Sequence, residues 1–131
     1  MSTRINQNWL YDIHIKHLVE NEDITEILEA STREIITICG RKGVMEEEVP
    51  LDDDGFFKPS AVIELAVLCA YTKILPAFWG GGMGDSTQDI YERKLQYYEM
   101  KLKTAINDLT KNQIILEQPT EIDYIRQIAC F

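Results

Sequence analysis

Two histidines, His14 and His17, are the only imidazole groups in this chain of 131 residues. They lie three residues apart, and Asp12 and Glu20 are the nearest carboxylates that could join them as metal ligands. A first-row metal site needs three or four such ligands that converge on one point. Nothing else along this stretch completes the set, so we expect ordinary surface histidines and no bound metal.

Two acidic triplets, Glu46–Glu48 and Asp52–Asp54, offer carboxylates that calcium could bind. An EF-hand loop needs oxygen ligands at alternate positions and a glutamate at position twelve. Counted from Asp52, position five is Phe56 and position twelve is Ile63. The spacing therefore favours a solvated acidic turn over a metal site.

A glycine-rich stretch, Gly80–Gly82, precedes a helix pattern as a phosphate-binding loop does. Such a loop needs a lysine directly before its serine or threonine, whereas here Asp85 precedes Ser86. A carboxylate there repels phosphate, so nucleotide binding is rejected. The serines also lack a histidine within a recognisable nucleophile motif. We therefore expect a protein that is not an enzyme, with no catalytic residue and no cofactor.

The stretch around which the other helices must pack is Pro59–Pro76, where almost every side chain is apolar. A helix that is apolar around most of its circumference is buried rather than amphipathic. Proline suits a first helical turn, and Pro76 predicts the end of the helix. The sequence therefore predicts an all-α fold: a small helical bundle around a buried central helix, with extended loops and a C-terminal arm.

An amphipathic helix precedes the central one. Asn21 is a suitable N-cap, apolar residues then recur at helical spacing, and Gly40 is placed to close the helix. A loop over residues 41–58 follows, and we expect its Phe56 and Phe57 to pack beneath the central helix.

A long helix follows the glycines, capped by Asp85 or Ser86. Its predicted apolar face is continuous over several turns and comprises Tyr91, Leu95, Tyr98, Leu102, Ala105, Ile106 and Leu109. The helix is expected to end at Asn112. Beyond it, Ile114–Leu116 is an apolar run of strand type, and a short helix is predicted after Pro119.

These elements divide the chain into three parts. The N-terminal segment covers 1–20, the helical bundle domain 21–112 and the C-terminal arm 113–131. The N-terminal segment fits a strand pattern and a helix pattern almost equally. Helix is favoured, because a lone strand in a helical chain has nothing to pair with.

Composition limits the class of protein. Cys39, Cys69 and Cys130 are widely spaced and odd in number, which indicates free thiols in a reducing compartment. Glu64 and Lys73 interrupt the longest apolar run, so no membrane span is expected. The net charge of −9 gives no general attraction for nucleic acid. Solubility explains this charge, and so does a surface that lies near DNA without binding it.

The order of these elements is a pattern in its own right. It comprises an amphipathic helix (DITEILEASTREIITICG), an acidic loop with DDDGFF, a buried helix that starts at proline (KPSAVIELAVLCAYTKIL), a glycine-broken loop and a long helix (DIYERKLQYYEMKLKTAIND) before an apolar tail. Over residues 21–118 this order resembles the small head-tail connector proteins of tailed bacteriophages, also called adaptor or head-completion proteins.

The resemblance implies a structural virion protein. Such proteins form an oligomeric ring, commonly of twelve subunits, between portal and tail, and the ring extends the DNA channel. The implied partners are further copies of the chain, the portal protein and tail or stopper proteins. DNA would pass through without specific binding, and no membrane is involved. The implied location is the neck of the virion, with assembly in the host cytoplasm.

Interface residues are expected in the loop after the central helix and in the C-terminal arm. Aromatic rings beside glycines are typical contact residues, although Phe78 and Trp79 would equally suit the core. An apolar tail suggests docking on its own core or on a neighbouring subunit, and the neighbour is favoured. The candidate interface residues are Phe78, Trp79, Met83, Ile114, Ile115, Leu116, Ile125, Ile128 and Phe131.

A second interpretation is an acidic helical adaptor or inhibitor, similar to a DNA mimic, that binds a protein and is not an enzyme. The acidic loop over 46–54 motivates it. The acidic residues are concentrated in that loop and the first helix rather than spread along a rod, which argues mildly against mimicry. Truncation after Asn112 is expected to abolish assembly of a ring protein and to leave a monomeric inhibitor folded.

Overall fold

The structure, a computed structural model, describes residues 3–78 and 86–115, without the side chains of 86–89. Its helices are α1 (Ile13–Leu18), α2 (Thr25–Arg41), α3 (Ser60–Phe78), α4 (Ser86–Asp108) and α5 (Lys111–Ile115). Each of the other helices packs on α3. Across these ranges the extended pairing is limited to an isolated bridge between Leu51 and Phe57. The predicted all-α bundle around a central helix is confirmed.

Helix α3 is buried because it is apolar on nearly every side. Its fully buried side chains include Leu65, Tyr71, Ile74 and Leu75. By length and composition α3 could cross a membrane, but the core helix of a bundle passes the same test, and more than half of α3 is buried here. The prediction that Pro76 ends the helix was wrong. Pro76 lies in the last turn, where its missing N–H costs a single backbone hydrogen bond.

Helix α2 begins and ends at residues other than those predicted. It starts at Thr25, and the Asp23 carboxylate rather than Asn21 accepts from the Thr25 N–H, at 3.0 Å. At the other end Gly40 lies inside the helix. The closing turn uses Gly43, with φ +91°, and the Val44 N–H donates to the Cys39 carbonyl at 2.9 Å. This is the Schellman closure, in which glycine adopts the left-handed conformation.

The N-terminal segment is part of the core. A short 3-10 helix, Gln7–Trp9, and then α1 form in it, and Ile5, Leu10 and Ile15 are fully buried. Its backbone is also tied to the loop after α2, since the Phe57 N–H donates to the Arg4 carbonyl at 2.9 Å.

The acidic loop after α2 is held by its own side chains. One Asp52 carboxylate oxygen accepts from the N–H groups of Asp54 and Phe56, at 2.9 and 3.0 Å. Phe57 is fully buried, whereas Phe56 is half-buried with its ring edge-on to Trp9, 5.8 Å between centroids.

Helix α4 buries the predicted face, with Tyr98 and Leu109 most buried and the rest half-buried against the core. It ends at Asp108, before the predicted Asn112, because a new helix starts at once. Thr110 and Gln113 form a capping box: each side chain accepts from the backbone N–H of the other, at 3.2 and 2.9 Å. Ile114 and Ile115 are therefore helical, and the predicted strand type was wrong there.

A candidate protein-binding groove

A groove crosses the outer face of α3 between the N-terminal segment and the second half of α4. It consists of two adjoining hollows with cavity volumes of about 390 and 310 Å³, and Glu64 lines both. Its α3 floor comprises Ser60, Ala61, Ile63, Glu64, Val67 and Leu68. One wall is formed by Trp9 and Tyr11. The other is formed by α4, from Met100 to Asp108, and Leu109 and Gln113 line the groove as well.

The helical repeat of α3 explains the floor. Residues three and four apart share a face, so Ile63, Glu64 and Val67 lie together on a side of α3 that none of the other described helices covers. Glu64 is exposed and is the only charged residue that α3 contributes to the groove. The floor is otherwise mainly apolar.

Large apolar side chains stand exposed along both walls. Tyr11 is 62% exposed and Met100 is 69% exposed. Tyr97 of α4 is 54% exposed and lies beside the α4 wall. It contacts Lys101 of that wall, whose ammonium nitrogen lies 5.2 Å from the centre of the Tyr97 ring. A hydrogen bond from Lys101 to the Tyr97 hydroxyl raises the pKa of Lys101. Tyrosine and methionine are enriched where proteins meet, so the groove has the chemistry of a protein contact.

Four side chains hold Tyr11 in position on its wall. We name them the Asp12 cluster: Asp12, Tyr71, Lys94 and Tyr98. One Asp12 oxygen accepts from the Ile15 N–H at 3.1 Å and so caps α1. The other accepts from the Lys94 ammonium at 2.9 Å and from the Tyr98 hydroxyl at 2.5 Å. Asp12 is only 7% exposed, so these bonds replace the water that it loses on folding.

Tyr71 completes the Asp12 cluster from the core helix. Its hydroxyl oxygen accepts from the backbone N–H groups of Tyr11 and Asp12, at 2.7 and 2.8 Å. Its ring packs 4.6 Å from the Tyr98 ring and edge-on to the Tyr11 ring at 5.5 Å, measured between centroids. Tyr71 thereby sets where Tyr11 stands on the groove wall.

The Asp12 cluster keeps fixed protonation states at neutral pH. Burial acts to raise the pKa of Asp12, but the hydrogen bonds from Tyr98, Lys94 and the Ile15 backbone outweigh it, so this pKa lies below its ordinary value. Burial and the bond to Asp12 raise the pKa of Tyr98, and burial raises that of Tyr71 to about 12. A general acid or base works best with a pKa near the operating pH, so this arrangement holds the fold rather than moves protons.

A second titratable cluster lies between α2 and α3. The Cys69 thiol donates to one Glu34 oxygen at 2.8 Å, and the Lys73 ammonium pairs with the same oxygen at 2.9 Å. Burial, followed by the Glu34 contact, raises the pKa of Cys69 to about 12. Burial alone raises the pKa of Cys39 to about 11. Both thiols are free and buried, and neither has the thiolate character of a nucleophile.

The two histidines are exposed on α1. His14 lies 4.0 Å from Asp12, and His17 lies 3.5 Å from Glu20. Among residues 3–78 and 86–115, no group of three His, Cys, Asp or Glu side chains is placed to hold a metal ion.

The predicted interface residues are not brought together in the described part of the chain. Phe78 and Ile115 are half-buried against the core. Ile114 is fully buried in the core of the chain. The remaining candidates, Trp79, Met83, Leu116, Ile125, Ile128 and Phe131, lie outside the described residues.

Sequence reasoning missed the groove, although part of its signal was present. Tyr97 and Met100 are apolar residues that lie off the predicted buried face of α4. Large apolar residues on the outward side of an amphipathic helix are candidates for contacts with another surface.

Comparison of the chain with protein-family models, with curated proteins and with solved structures gave no match.

Proposed function

We propose that this chain is a structural subunit of the head-tail connector type, which forms a ring between portal and tail and extends the DNA channel. The observation that carries the proposal is the groove, where Tyr11 and Met100 are exposed. In the Asp12 cluster and the cluster of Glu34, Cys69 and Lys73, the shifted pKa values suit groups that stabilise the fold rather than groups that transfer protons. A contact surface without a reactive centre beside it suits an assembly protein. The order of helices over 21–118 supplies the class of assembly by resemblance.

The acidic balance agrees with this role. With a net charge of −9 the ring would repel the phosphates of DNA, so DNA would slide through without being held. A groove on one copy that receives a different surface of the next copy makes a heterologous contact, and such contacts close into rings. The proposed partners are further copies, the portal protein and tail or stopper proteins in the neck of the virion.

The acidic adaptor or DNA mimic is the weaker candidate because part of its acidic loop serves the fold. Asp52 accepts two backbone N–H groups of its own turn. Glu48 accepts from the Met45 N–H at 2.9 Å, and Glu46 lies 3.8 Å from Arg4. Carboxylates used in this way are poorly placed to imitate the regular phosphates of a DNA strand.

The direct test is co-expression of the chain with the portal protein encoded beside it, followed by native mass spectrometry. We expect a particle that contains the portal and a ring of this chain with matched symmetry. A stable monomer or dimer that does not associate with the portal would overturn the connector proposal.

A matched pair of methionines tests the groove itself. Met100 lines the groove and is 69% exposed, whereas Met45 is 61% exposed and lines neither hollow. We expect Met100→Ser to weaken assembly about tenfold, as the loss of a moderate hot spot does, and Met45→Ser to leave it unchanged. Circular dichroism should show both variants folded. Equal effects of the two substitutions would remove the groove from the assembly contact.

A further inference from the structure

The groove has a candidate occupant within the same chain. We propose that in the isolated protomer it holds residues 116–131, which we name the C-terminal segment. The proposal concerns the protomer alone and does not rest on the connector function.

The first argument is where the C-terminal segment starts. Helix α5 ends at Ile115, and Gln113 lines the groove beside Asp108 and Leu109. Ile114 is fully buried, so the last described turn is fixed on the core at this end of the groove. The C-terminal segment therefore begins beside the hollow that it is proposed to fill.

The second argument is length. Sixteen residues follow Ile115. As a helix they would span about 24 Å, and the α3 floor from Ala61 to Leu68 extends over only about 11 Å at the same rise per residue. The C-terminal segment is long enough to follow the whole floor even if its first residues are spent on a turn.

The C-terminal segment has the sequence pattern of an amphipathic helix. Its sequence repeats Ile122, Ile125 and Ile128 at the spacing of a helix face, after Thr120 as a suitable cap. An amphipathic helix that lays its apolar face into a groove is a common mode of recognition. The floor offers Ile63, Val67 and Leu68 to such a face.

The charged residues of the groove are complementary to those of the C-terminal segment. Glu64 is the single charged residue that α3 contributes to the groove, and Arg126 is the single basic residue of the C-terminal segment. On a helix Arg126 lies four residues after Ile122 and so flanks its apolar face. Lys101 on the α4 wall offers a partner for the acidic residues of the segment, such as Glu121.

The same-chain occupant is favoured over a second copy by effective concentration. A segment tethered at the end of its site is present there at about millimolar concentration. A second copy in a micromolar solution is about a thousandfold more dilute, so it loses this competition unless the tether prevents the segment from reaching the site.

The native thiol Cys130 allows the test. Cys39 and Cys69 are fully buried, so the thiol of the C-terminal segment is the one available for pairing. We would introduce a second thiol on the groove by Thr104→Cys and, in a separate variant, by Glu64→Cys. The matched control is Arg33→Cys, an exposed position on α2 that lines neither hollow. Oxidised glutathione would accept the electrons, forming one protein disulfide and two reduced glutathiones.

We expect a disulfide between Cys130 and at least one groove thiol within a monomer, in at least tenfold higher yield than in the Arg33→Cys control. Peptide mapping of the monomer band identifies the bond. A bond found only in covalent dimers would assign the groove to a second copy and overturn the proposal. A yield equal to that of the control would overturn it as well.

A second measurement needs no introduced cysteine. Truncation after Ile115 removes only the C-terminal segment and leaves the buried Ile114 in place. Compared with the full chain, we expect shifts in the backbone amide NMR signals of Ile63, Glu64 and Lys101, and none in α2. Unshifted signals along the groove would show that the segment does not lie there.

Discussion

The Asp12 cluster and the groove draw on the same three parts of the chain, namely the N-terminal segment, α3 and α4, but they satisfy opposite requirements. In the Asp12 cluster a buried carboxylate accepts from Ile15, Lys94 and Tyr98. In the groove, Tyr11 and Met100 expose more than half of their surface. A satisfied polar network fixes positions, whereas an exposed apolar surface gains free energy only when something covers it.

The two regions are joined at Tyr11. Its backbone N–H is bonded to Tyr71 at 2.7 Å, while its ring stands 62% exposed on the groove wall. The Asp12 cluster therefore positions the groove. From this comparison we expect substitutions in the cluster to lower the free energy of unfolding and those in the groove to leave it nearly unchanged.

The largest effect is expected from Asp12→Ala. It removes the cap of α1 and leaves the Tyr98 hydroxyl and the Lys94 ammonium without their acceptor. We expect a loss of about 3 kcal/mol in the free energy of unfolding, measured with urea. The control is Asp23→Ala, at an exposed carboxylate that accepts hydrogen bonds from Thr25, where we expect a clearly smaller loss. Equal losses would mean that the Asp12 cluster is no more than a helix cap.

Tyr71→Phe is expected to have the next largest effect. The ring stays, but the N–H groups of Tyr11 and Asp12 lose their common acceptor. Leaving them unsatisfied should cost about 2 kcal/mol. Tyr97→Phe removes an exposed hydroxyl from α4 and should change the free energy of unfolding by less than about 0.5 kcal/mol. A cost for Tyr97→Phe as large as that for Tyr71→Phe would contradict the division between cluster and groove.

Much of the fold could be predicted from local sequence. The run from Pro59 to Pro76 has no polar face, and its burial as the core helix follows from that alone. The apolar face of α4 likewise repeats at helical spacing from Tyr91 to Leu109. Helix ends were harder to predict, because several residues compete for them. Gly43 rather than Gly40 closes α2, and the capping box of Thr110 starts a new helix where the long helix was predicted to continue to Asn112.

The groove and the Asp12 cluster could not be predicted, because their parts are far apart along the chain. Asp12 meets Lys94 and Tyr98 across 82 and 86 residues. No periodicity within a helix encodes such a contact. It depends on the N-terminal segment packing on α3, and the sequence of that segment fits a strand as well as a helix.

Acid should weaken the fold through carboxylates outside the groove. The pKa of Asp12 is lowered, and that of Glu34 is lowered too, since the bonds from Cys69 and Lys73 outweigh the opposing effect of burial. A carboxyl group with a lowered folded pKa stabilises the fold above its unfolded pKa, and this contribution is lost as the pH falls through the folded value. We therefore expect the free energy of unfolding to fall below about pH 4.

The variant Asp12→Asn measures how much of this loss in the free energy of unfolding at low pH comes from the Asp12 cluster. Urea titrations at pH 7 and pH 3 should give a smaller difference for Asp12→Asn than for the parent chain, because the amide does not titrate. An unchanged difference would assign the acid sensitivity to Glu34 and the other carboxylates, and the Asp12 cluster would then contribute nothing to it.

The smallest effect is expected from Lys101→Ala, which we compare with Lys94→Ala one heptad earlier on α4. The Lys94 ammonium bonds a buried carboxylate at 2.9 Å, so its loss should cost about 1–2 kcal/mol. The Lys101 ammonium lies over the exposed ring of Tyr97, and its loss should change the free energy of unfolding far less than the loss of Lys94, because water replaces the contact. Urea unfolding of the two variants measures both. A large loss for Lys101→Ala would make the groove wall part of the stabilising core, and its exposed apolar side chains would no longer indicate a surface kept for contact.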